Sequence, residues 1–302
     1  MKKSKHFTKK LVPLFAIASA TLLLTSCKGK QCKDADEFGV CPDMGAGEVL
    51  EQLHNDTMEK HTTYVLYSAY TSYVNPSRSD GGTDGVPGQT GKMREFYTGK
   101  IQSSYSGCTR EHVWPCANSS NLWSHDGDHA VDSPGYKGGG SDLYHVRPVL
   151  SDVNEKRGNG KFYEFKSGEN KYTYPEITTP YKITVDIETG NYANKFEPAD
   201  QIKGDIARLI TYLYMHYSSI GDNSKLTDTQ RSYLGGLSFK DIFNSSYSQA
   251  EINAIIVKWN KNDPVSEDEK RRNDVVEAIQ GNRNPFVDHP EYIDRIWGAE
   301  AE

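Results

Sequence analysis

The chain has 302 residues, and its 35 basic and 41 acidic side chains give a formal net charge of −6. Five of the lysines (Lys2, Lys3, Lys5, Lys9, Lys10) crowd the first ten residues, so the 30 basic residues beyond them face 41 acidic ones, a net −11. That sign excludes a broad basic surface for polyanions, and any such partner must be held by a local groove or through a cation.

The N-terminal lysines precede an apolar stretch, Leu11 to Leu24, that is too short for a typical membrane span and reads as a secretion signal. It ends in Leu24-Thr25-Ser26-Cys27, which resembles a bacterial lipobox, whose cysteine becomes the acylated first residue of the mature chain. An ordinary signal peptide with an incidental cysteine is the alternative. Both predict export, and the first predicts a lipoprotein anchored in a membrane through Cys27 and facing the periplasm or the cell exterior. The expected organisation is a leader over 1–26, a tether over 27–46 and one domain over 47–302, long enough for a proper core. Cys32, Cys41, Cys108 and Cys116 then remain, and an even count in an exported chain predicts disulfides. Local pairing, Cys32–Cys41 with Cys108–Cys116, is the expectation among three connectivities. Zinc competes with it, but no CxxC pair supports a metal.

In chain order, Leu50, Leu53, Val65, Leu66, Tyr67 and Tyr70 predict an opening helix and its continuation over Glu48 to Tyr73. Tyr64, Tyr67, Tyr70 and Tyr73 share helical spacing and are expected in the core. Asn75 to Gly91 and Ser124 to Ser141, the latter closing on Gly138-Gly139-Gly140, are loops. Arg110-Glu111-His112-Val113-Trp114-Pro115 reads as a strand that Pro115 stops. Asp142 to Pro148 alternates like a short strand. Ser151 or Asp152 then caps a helix that holds Asn154 in its first turn and ends near Gly158. Residues 162–192 alternate aromatic and polar residues, strand-like, with turns at Gly168 and Gly190. Helices follow over Asp205 to Tyr217 and Gln249 to Asn260, each with an apolar face, and through Ile279 from the capping pair Ser266 and Glu269. A short last helix covers Pro290 to Trp297. A single α+β domain results, without repeats or an internal linker.

Glu111, His112 and Asn154 carry the chemistry. Neighbours on a strand point to opposite faces, so Glu111 and His112 can serve one site only at a strand end. The hard oxygens of Glu111 and Asn154 favour one Mg2+ over zinc, with Mn2+ or Ca2+ as substitutes. An imidazole near neutrality at His112 can take a proton from an attacking water. Such a set suits hydrolysis of a phosphodiester.

These segments resemble the bacterial endonuclease I family of extracellular and periplasmic nucleases. Its EH dipeptide followed by proline is matched by Glu111, His112 and Pro115. Its D-L-H-x-L/V-x-P run is matched by Asp142-Leu143-Tyr144-His145-Val146-Arg147-Pro148, with Tyr144 where many relatives have His. Its V-N-x-x-R-G-N run is matched by Val153 to Asn159. Leu213-Tyr214-Met215, Trp259-Asn260, Asp263-Pro264-Val265, Glu269, Arg272-Asn273 and Gln280 to Asp288 follow in order, so the likeness covers residues 48–297. It implies a ββα-metal (His-Me finger) core in a mostly helical domain with a small antiparallel sheet. It also implies Glu111 and Asn154 as metal ligands and His112 as the general base. The activity implied is endonucleolytic cleavage of DNA, often also of RNA, with little sequence preference and 5′-phosphate ends.

Other side chains have weaker assignments. Arg157 and Arg147 are candidate phosphate contacts, and Arg157 equally suits an ion pair with Glu155 or Asp152. Asp142 and His145 are expected to support the site from behind. His54, His61, His125, His129, His216 and His289 have no partner pattern and are expected on the surface or in the core. Lys270-Arg271-Arg272, flanked by Glu267, Asp268 and Glu269, predicts a solvated salt-bridged helix face. Gln280 to Phe286 serves a turn or lines the cleft. The substrate expected is nucleic acid, with no obligate protein partner. A nuclease restricted to RNA or single strands, and a surface lipoprotein that only binds a ligand, are the alternatives.

Overall fold

A computed structural model of the chain describes residues 32–119, 122–123, 138–175, 179–190 and 192–298. The leader, Cys27 and residues 124–137 of the second expected loop, with His125 and His129, lie outside the described residues. Compact units divide between Lys33 and Asp34, and the second, Asp34–Glu302, carries all the elements that follow. Among the described residues no helix is long and apolar enough to cross a membrane.

Helix α1 (Ala46–Lys60) opens the domain, with Val49, Leu53, His54, Thr57 and Met58 buried on one face. The expected continuation does not follow directly, because the chain leaves the helix at His61 and the amides of Thr62 and Thr63 both donate to Gln280 O. A 3-10 turn (Tyr67–Ala69) and α2 (Tyr70–Val74) resume it. Of the four spaced tyrosines, Tyr70 is buried while Tyr64, Tyr67 and Tyr73 are half-buried. The expected loop from Asn75 leads into β1 (Met93–Arg94), which pairs with β2 (Ile101–Gln102).

β3 (Cys108–His112) and β4 (Val146–Leu150) form an antiparallel pair, with Glu111 opposite Arg147 and His112 opposite Val146. The strand expected from Asp142 begins only at Val146, because Asp142 to His145 form a turn closed by bonds from the amides of His145 and Val146 to Asp142 O. α3 (Ser151–Arg157) follows β4 without a loop. Its N-cap is Leu150, not Ser151 or Asp152, and the Ser151 hydroxyl donates instead to Gly107 O.

β5 (Lys161–Phe162), β6 (Tyr172–Tyr174), β7 (Ile183–Val185) and β8 (Lys195–Glu197) make a sheet in the order β5-β8-β7-β6. It is not wholly antiparallel, since β5 and β8 run parallel. α4 (Lys203–Tyr217) is buried along nearly its whole length. α5 (Asp228–Ser232), α6 (Gln249–Asn262), α7 (Glu267–Gln280), α8 (Pro285–Asp288) and α9 (Glu291–Trp297) complete the chain. α4 packs on α1, α6 and α8, and α9 closes over α1 and α6. Ser248 with Glu251 and Ser266 with Glu269 are capping boxes at the starts of α6 and α7, each satisfying two amides that a helix start leaves unpaired.

Part of the expected tether packs against this body. Phe38 and Val40 are buried, and the Arg295 guanidinium donates to the carbonyls of Cys41, Pro42 and Met44. Cys32 and Cys41 are disulfide-bonded, as expected. Cys108 and Cys116 are not: both are free thiols. Cys108 starts β3 and Cys116 lies past its end. At about 3.3 Å per residue β3 carries the chain roughly 13 Å from Cys108 to His112 before Cys116 is reached, whereas a disulfide needs its two Cα atoms within about 7 Å.

Candidate active site

α3 is keyed onto β3 by two contacts. Asn154 Nδ2 donates to Thr109 Oγ1 at 2.8 Å, and Arg157 Nη1 lies 3.3 Å from Glu111 Oε1. Asn154 and Arg157 share a helix face at i, i+3, while Thr109 and Glu111 share a strand face at i, i+2. Asn154 and Glu111 therefore lie on the same side of β3. The amide of Asn154 gives its nitrogen to Thr109, so its carbonyl oxygen is the atom left for a cation.

Glu111 is buried at 3% exposure. Its Oε1 also accepts from Tyr97 Oη at 2.8 Å, and among the described residues no donor reaches Oε2. Burial pushes this carboxyl above the usual carboxylate range, while Arg157 and the Tyr97 hydroxyl draw it partly back. A buried carboxylate with one oxygen spare is a favourable place for a hard cation.

Arg157 is itself buried at 1% exposure and donates to Val113 O at 2.8 Å and Gly158 O at 3.1 Å. It meets Glu111, rather than Glu155 or Asp152. Arg147 projects from β4 to Asp84 Oδ1 at 3.1 Å, and its guanidinium carbon lies 3.9 Å from the Phe96 ring centroid.

His112 closes β3 from the opposite face. Its Nε2 donates to Gly140 O at 2.7 Å; a carbonyl only accepts, so Nδ1 is the basic nitrogen. Tyr67 stacks on the ring with centroids 5.3 Å apart, and the Arg110 guanidinium sits 4.2 Å over Tyr67. His145 lies behind, its ring centroid 5.1 Å away. Its Nδ1 donates to Gly139 O at 2.5 Å and its Nε2 accepts from Trp114 N at 3.1 Å. Burial, reinforced by His112, holds His145 well below the ordinary imidazole range. The Gly138–Gly140 turn thus orients both rings through its carbonyls. Gly139 has no alternative there, since a Cβ would come within 2.5 Å of the Trp123 ring.

Asp142, expected to support this site, turns instead to the helical core. Its Oδ1 accepts from Tyr144 N and Gln280 Nε2, its Oδ2 from the hydroxyls of Tyr212 and Tyr217. Gln280, Asn282 and Asn284 serve this core too: Asn282 Nδ2 donates to Tyr212 Oη and Asn284 Nδ2 to Arg208 O. Tyr144 donates to Asn273 Oδ1 at 2.7 Å.

Among the described residues, the one group of three His, Cys, Asp or Glu side chains able to converge on an ion is His61, Asp142 and His216, with ligand atoms within 4.8 Å of one another. Hydrogen bonds already engage most of these atoms: His61 Nδ1 and His216 Nε2 are 2.9 Å apart, and His216 Nδ1 is 2.9 Å from Thr57 Oγ1. His54 is buried with them, whereas His289 lies between Glu37 and Glu291.

The expected solvated face of α7 holds only for Lys270, which pairs with Glu267. Arg271 donates to loop carbonyls at Gly82 and Gly85, and Arg272 is buried against Asp84. Tyr97, which holds Glu111 Oε1, is absent from the expectations. It stands in the β1–β2 connection, which Phe96 N anchors to Pro148 O, and no local pattern in the sequence marks it.

Two strands and a helix thus bring a buried carboxylate close to an oriented histidine on an α+β scaffold. Comparison with known proteins gives the family. The family model for Endonuclease I matches residues 49–291, and the chain belongs to that family. It is similar to the extracellular ribonuclease of Bacillus amyloliquefaciens, 33% identical over 71% of this chain and 64% of that protein. It is also similar to the extracellular ribonuclease of Bacillus subtilis (strain 168), 30% identical over 92% and 84% of the two chains. Endonuclease-1 of Buchnera aphidicola subsp. Baizongia pistaciae is 25% identical over 59% and 60%. The chain thus spans a little under two thirds of the Bacillus amyloliquefaciens protein.

Proposed function

We propose that this chain is an exported, lipid-anchored endonuclease that hydrolyses phosphodiester bonds in DNA and RNA at a ββα-metal site formed by β3, β4 and α3. The observation that carries the proposal is the paired registry of Asn154 on Thr109 and Arg157 on Glu111, which sets one carboxylate and one amide on the same side of the strand that ends in His112. Glu111 and Asn154 would hold one Mg2+, with Mn2+ or Ca2+ as substitutes; their all-oxygen donor set and the spare Oε2 fit such an ion. When bound, the ion supplies charge neutralisation at the phosphate and at the departing oxygen.

The chain's own residues do the rest. Gly140 O fixes the His112 tautomer, so that Nδ1 accepts the proton of the attacking water. Tyr67 keeps the ring from rotating by stacking on it. Tyr97 and Arg157 fasten Glu111 Oε1 and so aim Oε2. Arg157 acts from beneath the carboxylate, and Arg147 is engaged by Asp84; neither is assigned to the phosphate.

A preference for RNA is the second reading, favoured by the two relatives named extracellular ribonuclease. Purified protein should nick plasmid DNA and degrade RNA in magnesium, and EDTA should abolish both. Cleavage that survives EDTA, or that is undiminished in His112→Ala and Glu111→Ala, overturns the assignment.

A further inference from the structure

Tyr192 is the most exposed large apolar or aromatic side chain among the described residues, 67% against 40% for Ile101 and 39% for Leu66. Its ring is nonetheless held in place. Gly158, at the end of α3 with φ +50°, lies so close that a Cβ there would come within 2.7 Å of Tyr192 Cδ1. The segment leading to Tyr192 is clamped to the same helix, since Lys156 Nζ donates to Glu188 O at 3.0 Å and Gly190 O at 3.2 Å. Ala193 N, on the other side, donates to Lys156 O at 3.0 Å. Gly158 N in turn donates to Asn154 O at 2.8 Å, and four residues of helix span about 6 Å along the axis. A solvent-facing aromatic ring is therefore fixed one helical turn from Asn154.

We propose that Tyr192 is a stacking platform for an unpaired base adjacent to the phosphodiester cut at Glu111, His112 and Asn154, an inference that rests on the nuclease reading of that site. Net acidity argues for such a contact. With basic residues outnumbered, affinity for a polyanion needs a source other than charge, and base–aromatic stacking is sequence-tolerant because every base has a π-face. A duplex keeps its bases stacked on one another, so the ring distinguishes unpaired from paired substrate. The glycine of the Arg157-Gly158-Asn159 run then has a function outside the chemistry, as the only residue that lets the ring lie against α3.

Steady-state cleavage of a single-stranded DNA oligonucleotide, its RNA counterpart and the matching duplex should be compared for the wild type, Tyr192→Ala and Tyr192→Phe. Tyr192→Ala should raise KM for both single strands by about 5- to 150-fold with kcat kept, leave the duplex unchanged, and be rescued by Tyr192→Phe. An effect on RNA alone would confine the platform to ribonucleotides and overturn the general form. An unchanged KM, or an equal rise for all three substrates, overturns the proposal while the nuclease reading stands. Binding of a 2-aminopurine-labelled single strand to His112→Ala, with and without Tyr192→Ala, separates the two. If the wild type cleaves none of the three substrates but fluorescence quenching by the variant depends on Tyr192, the nuclease reading fails and the platform remains.

Discussion

Two carboxylates, Glu111 and Asp142, are buried to nearly the same extent, 3% and 2% exposed, and their surroundings are built to opposite ends. Around Asp142, four neutral donors from the β4 approach, α4 and α7 occupy both oxygens. A carboxylate has about four lone-pair positions, so this one is filled, and it ties a turn to two helices. Around Glu111, Tyr97 and Arg157 both address Oε1. The other oxygen is spared. Burial alone does not distinguish the two carboxylates; the distribution of donors over their oxygens does.

Removing each carboxylate tests the contrast most severely. Glu111→Ala should abolish magnesium-dependent cleavage and also strand the buried Arg157 charge, at a cost of about 3–5 kcal/mol in stability by denaturant titration. Full activity in that variant would erase the distinction. Asp142→Ala should leave buried hydroxyl and amide donors unpaired, each worth about 1–3 kcal/mol and not additive, yet keep cleavage per folded molecule. If Asp142→Ala folds normally but cuts no substrate, the helical-core carboxylate is functional after all. Tyr97→Phe is the finer probe. Loss of its bond to Glu111 Oε1 should weaken magnesium affinity by about 10- to 100-fold, the usual effect of losing such an outer partner, with isothermal titration as the measurement.

The smallest effect concerns the helical region alone. Burial, with His61 and His54 adding to it, holds His216 well below the ordinary imidazole range. As pH falls through about 6.5 the unfolded imidazole takes a proton that the folded one refuses, so the stability present at neutral pH is lost below that value. In His216→Gln, the dependence of unfolding free energy on pH between 7 and 5 should be shallower by up to about 1.4 kcal/mol per pH unit. An unaltered slope would mean that this ring is not kept neutral.

Much of the helical scaffold was legible because its signals are local. Ile206, Leu209, Ile210 and Leu213 at i, i+3, i+4 spacing marked α4, and Ser266 with Glu269 marked the start of α7. β8 escaped because three residues carry too little period, and its pairing with β5 and β7 is the stronger determinant. The expected Cys108–Cys116 bridge failed for a related reason: short separation along the chain said nothing of the extended strand between them. Arg272 reads as part of a solvated charge run, but α7 turns it inward onto Asp84, which lies in a loop 188 residues earlier.

By itself the sequence determined the apolar faces of α4 and α6 and the capping pair that opens α7, because each depends on residues within a few positions of one another. The family's ordered motifs were written there too. Only tertiary structure decided that Tyr97 and Arg157 converge on one oxygen of Glu111, that Asp142 belongs to the helices, and that the ring of Tyr192 rests on Gly158. These are contacts between segments distant along the chain, selected by how α3, the β1–β2 hairpin and α4 pack, and no pattern along the chain encodes which oxygen of a carboxylate a distant hydroxyl will reach.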